Sequence, residues 1–341
     1  MKKTGVLLIN LGTPDSPSTG DVRKYLREFL NDPRVIDISA FGRFMLVNGI
    51  IVPLRAPKSA KLYKELWNMW DGESPLWTFG KKLKQLSQER FKEEENVTVH
   101  FAMRYQNPSL DKVLEEMKEL AYDQIIILPL FPHNASASTG SAIEKALKII
   151  NKWWSIPDIK VISAFYNHPK YIDAFVEKAL MHQLDEYDHI LFSYHGLPER
   201  QIDKVHPKLK CSDCNCDQEF NEDYKLCYRN ECYETSRLIA EKLGLEADRY
   251  TSCFQSRLGK TPWLTPYSDQ VVEELAKEGK KKILAFSAAF IADCLETSYE
   301  IGVEYQEIFE DHGGEKVQLV ESLNDSSTWV DCVEELLRGE M

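Results

Sequence analysis

No run of apolar residues in this chain reaches the length of about eighteen that a membrane-crossing helix needs, which excludes a spanning helix. Basic charge is also in the minority. The 42 Lys and Arg stand against 54 Asp and Glu, a net charge of −12. With no basic run and no low-complexity tract, the chain lacks the means to neutralise phosphates, so nucleic acid is excluded as a partner. The acidic balance suits a cationic substrate, and it suits plain solubility equally well. The opening MKKTGVLLINLG carries two lysines, but its apolar run stops at Gly12 and no small-residue cleavage site follows. No secretory signal is therefore expected, and the expected location is cytoplasmic. In that setting eight cysteines, five of them between Cys211 and Cys232, point to metal or redox chemistry rather than a disulfide framework.

What is present is a long globular chain. Its 341 residues, 43% hydrophobic and 28% charged, can bury large cores and favour two domains. Short, continuous runs of β-branched and apolar residues alternate with segments of helical spacing. Strands are expected near Gly5–Asn10, Val97–Met103, Gln124–Pro129, Lys160–Phe165, His189–Tyr194, Arg249–Phe254, Lys282–Phe286 and Lys316–Val320. Helices are expected at Ser109–Ala121, Ser141–Trp153, Tyr171–Leu184, Cys232–Leu243 and Ser268–Glu278. Continuous apolar strands are those of parallel sheets buried on both faces, so the pattern reads as α/β with doubly wound sheets. The eight strands fall into two sets of four, breaking around Tyr166–Lys170. In each half the third strand runs into a small-residue loop and then a helix, a weak repeat of fold. The expected domains are 1–166 and 167–323, with a C-terminal helix over 324–341. Ligands in such folds sit beyond the carboxyl ends of strands.

Two stretches break the rhythm. The first is an apolar segment at about 41–54, FGRFMLVNGIIVPL, interrupted by Arg43, Asn48 and Pro53. It reads as a loop with two open meanings: a core helix with its connector, or an exposed lip that meets a flat hydrophobic ligand or a membrane surface. The second is a polar, Cys-rich insert over about 201–232.

Several residues carry chemistry at strand ends. In Ser193-Tyr194-His195-Gly196-Leu197-Pro198, His195 sits at a carboxyl edge where Gly196 lets the chain turn. A structural, hydrogen-bonded histidine is the plainer reading. Asp293, Glu296, Glu300, Glu304 and Glu307 form one stripe at about 100° per residue, a costly stack of like charge unless cations or solvent relieve it. A solvated outer face is the plain reading; an inward row would relay divalent metal or protons. The segment Phe131 to Ser141, with Ser138 and Thr139, opens a helix and suits an anionic group, although ordinary capping explains it nearly as well. Arg104 and Arg257 each follow a strand and are suited to hold a carboxylate by a forked pair. Trp263 offers a flat surface, or else core packing.

Taken together, N-L-G-T-P, the R-x-P-K of Arg55–Lys58, Arg104-Tyr105, S-x-H-G-x-P, F-Q-S-R-x-G with P-W-L-x-P, and D-C-L-E-T-x-x-E stand here in the order seen in ferrochelatases. The resemblance runs from about Thr4 to Leu337. It implies two Rossmann-like, chelatase-type halves, each a four-stranded parallel sheet flanked by helices, with an active-site cleft between them. It implies insertion of ferrous iron into protoporphyrin IX, the terminal step of haem biosynthesis. Coproporphyrin or a cobalt-accepting ring stands as the nearest rival substrate. By position, His195 resembles the family's cleft histidine, Glu296 its partner carboxylate, and Glu300 and Glu304 the acidic row beyond, all meeting the substrate iron. Arg104, Tyr105, Trp263, Arg55, Ser138 and Thr139 resemble substrate-binding residues. The lip resembles an apolar mouth that in some members touches the membrane, which implies a peripheral contact with the inner membrane. Where animal relatives have His beside the acidic pair this chain has Cys294, so that position is not an obligatory metal ligand. The required chemistry is bending of a flat ring and removal of two pyrrole protons, for which an imidazole, titrating ordinarily near about 6.5, is suited.

The insert Cys211-x2-Cys214-x-Cys216, followed by Cys227 and Cys232, is too closely spaced for paired zinc knuckles. It resembles the internal segment that holds a two-iron, two-sulfur cluster in a subgroup of bacterial ferrochelatases. Cys232 matches a cysteine of members without any cluster. The resemblance therefore implies Cys211, Cys214, Cys216 and Cys227 as ligands. Ser136 stands where animal-type relatives place a cluster cysteine.

Overall fold

In the computed structural model, residues 2–206, 208–259 and 261–341 are described. The strands are β1 (Thr4–Gly12), β2 (Val97–Tyr105), β3 (Gln124–Pro129), β4 (Asp158–Val161), β5 (His189–His195), β6 (Tyr250–Gln255), β7 (Lys282–Phe286) and β8 (Lys316–Leu319). They form two parallel sheets of four, ordered β2-β1-β3-β4 and β6-β5-β7-β8. The second sheet repeats the first strand for strand. The continuous apolar runs have the expected cause. Val6 to Ile9 in β1 and Ile190 to Phe192 in β5 are wholly buried between layers of helices.

The chain divides into two compact units. One takes the chain up to Phe131, Ala135–Ala164 and Val330–Met341; the other takes Pro132–Asn134 and Phe165–Trp329. In the first, Leu7, Ile9, Leu114, Met117, Ile125 and Ala146 centre one core. In the second, Leu191, Val272, Ile283, Ile301 and Phe309 centre another. At the end of the chain, Arg338 returns to the first unit. It pairs with Glu94 at 2.7 Å and lies over the Phe91 ring at 4.7 Å.

The repeat extends to local conformation. After β2, Gln106 takes a left-handed φ of 64°; after β6, Ser256 does the same at 64°. In the first unit Met103 N–H donates to Pro108 O at 2.7 Å, and in the second Phe254 N–H donates to Pro266 O at 2.9 Å. Each return leads into a helix, Leu110–Glu119 and Ser268–Lys277. The first unit makes its return from Gln106 to Pro108 through Asn107 alone, whereas the second uses residues 257–265, the stretch that holds Trp263. The third strands also match. A π-helical turn, Ser136–Gly140, follows β3 and leads to the helix Ser141–Ile150; a π-helix, Leu295–Tyr305, follows β7.

Three expectations change. The segment expected as a loop at 41–54 is helical: Ala40–Leu46, a π-turn Val47–Ile51, and Val52–Met69. Its Val47, Val52 and Ala56 are core, while Phe41, Phe44 and Leu54 are 77%, 59% and 68% exposed, so the segment is part core helix and part exposed apolar surface. β4 lies earlier than Lys160–Phe165, because Ile162 N–H makes the last ladder bond, to Ile127 O at 3.0 Å, before β3 ends at Pro129. Asp293 is not in the acidic stripe. It is buried ahead of the helix, where its carboxylate accepts from Asn324 Nδ2 at 2.7 Å and Thr297 Oγ1 at 3.0 Å.

Three histidines are held neutral. His133, buried in the second unit, pairs through Nε2 with Thr235 Oγ1 at 2.9 Å, and burial lowers its pKa to about 3. Desolvation, with nearby lysines or arginines, holds His100 and His189 at about 4. The unfolded chain protonates all three near about 6.5, so their contribution is complete above that pH and is lost as pH falls from it toward 3–4. Glu231, lifted by burial to about 8, opposes this together with the raised Glu300 and Glu304, while His182 and His206, lowered by burial, add to it. The urea midpoint of the full chain is expected to fall between pH 7 and pH 5, with His133→Gln flattening the decline. An unchanged slope in that variant would refute the assignment.

Candidate active site

His195 is the last residue of β5, register-paired with Gln255, the last residue of β6. Its Nδ1 lies 2.7 Å from Gly196 O. A carbonyl only accepts, so Nδ1 must carry the proton in that contact, and the in-plane lone pair is left on Nε2. The backbone beneath the imidazole is pinned from both sides. Tyr228 OH donates to His195 O at 2.8 Å, and Gly196 N–H donates to Gln255 O at 2.8 Å. A side chain at Gly196 would meet that carbonyl at 2.8 Å and the Trp263 ring at 3.4 Å, which is why this turn needs glycine.

The second element is the π-helix Leu295–Tyr305. Its i→i+5 bonds give more than four residues per turn, so Glu296, Glu300 and Glu304 follow one another along the helix with little rotation. Its start is fixed by Thr297, which accepts from Cys294 N–H at 2.9 Å. Glu296 is half-buried, Glu300 is held among hydrogen-bond donors, and Glu304 and Glu307 reach solvent. Ser256 Oγ donates to Glu300 Oε2 at 2.6 Å, and Gln255 Nε2 donates to the same oxygen at 3.0 Å. Burial raises the Glu300 pKa, against the pull of Ser256, the nearby His195 imidazole and Gln255, while Glu296 adds to the rise. Partial desolvation, then the charges of Glu300 and Glu307, raise Glu304. The imidazole and the carboxylates thus share one electrostatic neighbourhood inside the second unit.

Trp263 joins them. It bridges to Pro198, and Leu264 N–H donates to Leu197 O at 2.9 Å, so the indole is tied to the histidine turn. Arg257, by contrast, pairs with Asp269 at 3.3 Å on an exposed face.

In the first unit, Arg104 is already engaged. Its Nη2 pairs with Asp32 at 2.5 Å and its Nε donates to Ser141 Oγ at 2.7 Å. Tyr105 is fully buried and donates to the same Asp32 at 2.9 Å. Ser138 and Thr139 lie in the π-turn beside this network, Thr139 buried and Ser138 half-buried; Arg55 is exposed on the helix Val52–Met69.

The insert brings its thiols inside. Cys211, Cys214, Cys216, Cys227 and Cys232 are all buried and unoxidised. Burial pushes the Cys211 thiol to about 12 and Cys227 to about 11, and Cys216 also rises. Cys214 and Cys216 are hydrogen-bonded to each other, and both interact with Cys227. Arg229 donates to Cys214 O at 3.0 Å and to Cys211 O at 3.4 Å, setting a cation among them. Among the described residues, no three His, Cys, Asp or Glu side chains are arranged to close on a single metal ion.

The model of the ferrochelatase family matches residues 3–341. This chain belongs to the ferrochelatase family. The ferrochelatase of Legionella pneumophila (strain Lens) is 42% identical over 338 residues, covering 99% of each chain. That of Coxiella burnetii (strain RSA 493 / Nine Mile phase I) is 41% identical over 343 residues, covering 99% of this chain and 94% of the other. Among solved structures, SirB from Bacillus subtilis with Fe3+ has the same fold at a TM-score of 0.54 and 10% identity, over 98% of this chain and 94% of that one. Ferrochelatase chemistry, iron insertion into a porphyrin in haem biosynthesis by a metal-inserting lyase, is accordingly the activity of this chain.

Sequence reasoning singled out His195 and the carboxylates but passed over the groups that hold them. Gln255 and Ser256 stood inside a quoted motif, and their place at the end of a strand beside β5 was the available signal. Asp32 and Tyr228 gave none, since both act from segments distant in sequence. Gly196→Ala is expected to cut turnover at least tenfold while leaving far-UV circular dichroism unchanged, because the added methyl displaces either the Gln255 carbonyl or Trp263. Wild-type turnover in that variant would show the turn to be dispensable.

Proposed function

We propose that the chain inserts ferrous iron into protoporphyrin IX with His195 as the primary proton acceptor and Glu296, Glu300 and Glu304 as the carboxylate row serving the iron and the protons. The carrying observation is the neighbourhood of His195 and Glu300, with the imidazole lone pair directed to Nε2. The balance of the reaction is simple. Two pyrrole N–H bonds break, the iron becomes bound by all four ring nitrogens, and two protons leave. Nε2 of His195 takes one proton and the Glu296 carboxylate takes the other. Glu304 is exposed, whereas Glu300 and Glu296 are half-buried, so the row leads from solvent to partly covered positions. Such a row suits a hard, hydrated divalent cation entering and protons leaving.

The remaining substrate contacts belong to the same reading. Trp263 supplies a flat face for the ring. Arg55, Ser138 and Thr139 supply groups for its carboxylates. Arg104 serves the substrate from a network held by Asp32 and the buried Tyr105, which supports it rather than touching the ring. The exposed Phe41, Phe44 and Leu54 support an apolar mouth with a peripheral membrane contact. His195→Ala is expected to abolish insertion of zinc or ferrous iron into protoporphyrin IX, followed by absorbance, while the porphyrin still binds. Normal turnover in that variant would refute the role, and metallation of coproporphyrin III alone would overturn the choice of ring.

The cysteine segment fits a two-iron, two-sulfur cluster held by Cys211, Cys214, Cys216 and Cys227. Such a cluster asks for two thiolates at each iron, not three or four around one ion. Four buried thiols around Arg229 match that demand, since the guanidinium offsets the negative charge of a thiolate-bound cluster. When bound, the cluster supplies a one-electron redox centre and a cross-link within the insert. The purified chain is expected to be red-brown with about two iron and two sulfide per chain. A colourless chain holding one zinc would overturn the cluster.

A further inference from the structure

The primary amide of Gln255 uses both of its ends. Its Oε1 accepts from Ser193 Oγ at 2.7 Å, and Ser193 lies two residues before His195 on β5. Because the oxygen end is taken by a hydroxyl that Ser268 Oγ supports at 2.9 Å, the nitrogen end must face the acidic helix. There Nε2 donates twice, to the Glu296 backbone carbonyl at 2.9 Å and to Glu300 Oε2 at 3.0 Å. The Gln255 backbone carbonyl takes the Gly196 N–H at 2.8 Å. One residue therefore touches the strand before the histidine, the turn after it and the first turn of the carboxylate helix. It is 2% exposed, so water does not compete for these bonds.

We propose that Gln255 is a positioning residue of metal insertion, holding Glu300 and the start of the π-helix in fixed register with His195. This rests on His195 and the carboxylate row being the reacting site. An amide is suited to the task where an acid or an apolar side chain is not. It is the right length, it carries no charge to add to Glu296, Glu300 and Glu304, and its NH2 group presents two donors to two acceptors. Ser256, next in sequence and strained into a left-handed φ of 64°, turns its hydroxyl to the same carboxylate oxygen. Two adjacent residues at one strand end are thus spent on one carboxylate.

The test is steady-state kinetics of the full chain with ferrous iron and protoporphyrin IX varied separately. Gln255→Glu keeps the shape and replaces the donor by a charge facing Glu300. It is expected to raise the KM for ferrous iron about tenfold or more, the size associated with one hydrogen bond to a charged group. The KM for the porphyrin should stay within about twofold. Gln255→Met, neutral and of similar size, should give the same rise in iron KM without the added charge, and it carries the test if the first variant does not fold. The exchange Gln255→Glu with Glu300→Gln, which restores a donor–acceptor pair in the opposite sense, should recover the midpoint of thermal unfolding lost in Gln255→Glu. A wild-type iron KM, or equal rises in both KM values, would overturn the proposal. Turnover retained in His195→Ala would instead remove the reading of the site on which it rests, so the two failures are separable.

Discussion

The chemistry of the second unit depends on the last rung of a parallel ladder. At the ends of β5 and β6, His195 lies opposite Gln255, and the Gly196 amide closes on the Gln255 carbonyl. Parallel strands end together on one side of a sheet, and there the backbone has groups to offer that no further strand will claim. The imidazole is set by one of them, its own neighbour's carbonyl. The acidic helix is set by the side chain of the other strand end. Rigid elements thus place the reactive groups, and the loops between them carry only short leads.

Against that order stands the cost of the acidic helix. Three carboxylates four residues apart repel, and burial of Glu300 adds desolvation. The helix is held from outside its own hydrogen bonds. Asp293, buried and bonded to Asn324 and Thr297, anchors the segment before the first turn, and Ile301 and Tyr305, with Phe309 just beyond the helix, pack into the core. That packing and a polar knot at the start hold an unfavourable row in place. Its geometry, a π-helix of eleven residues, is of a rare kind that is frequent at functional sites.

Much of this was legible in the residues. Continuous β-branched runs gave the eight strands in two sets, since parallel strands buried on both faces admit little else. His195 of the proposed site stands at the end of such a run, and the carboxylates follow the next one after a short loop. Asp293 misled because helical spacing cannot separate a residue inside a helix from a buried anchor just before it. The segment at 41–54 misled because Pro53 and Asn48 look like breakers, although Pro53 falls in the first turn of a helix, where its missing N–H costs nothing. The supports of the site were illegible for a different reason. Asp32 reaches Arg104, and Tyr228 reaches His195, only through contacts across dozens of residues, and no local pattern records those.

The paired returns after β2 and β6 bear on how such a molecule changes over time. Both use a left-handed residue, a backbone bond back to the strand and a helix beyond, yet one spans a single residue and the other nine. The entropy of closing a loop grows only slowly with its length, so the longer return burdens the sheet little. Trp263 therefore rides on an excursion that can be recut without moving any strand, whereas its counterpart in the first unit has no slack to edit. At this return the two halves of a doubled plan part company.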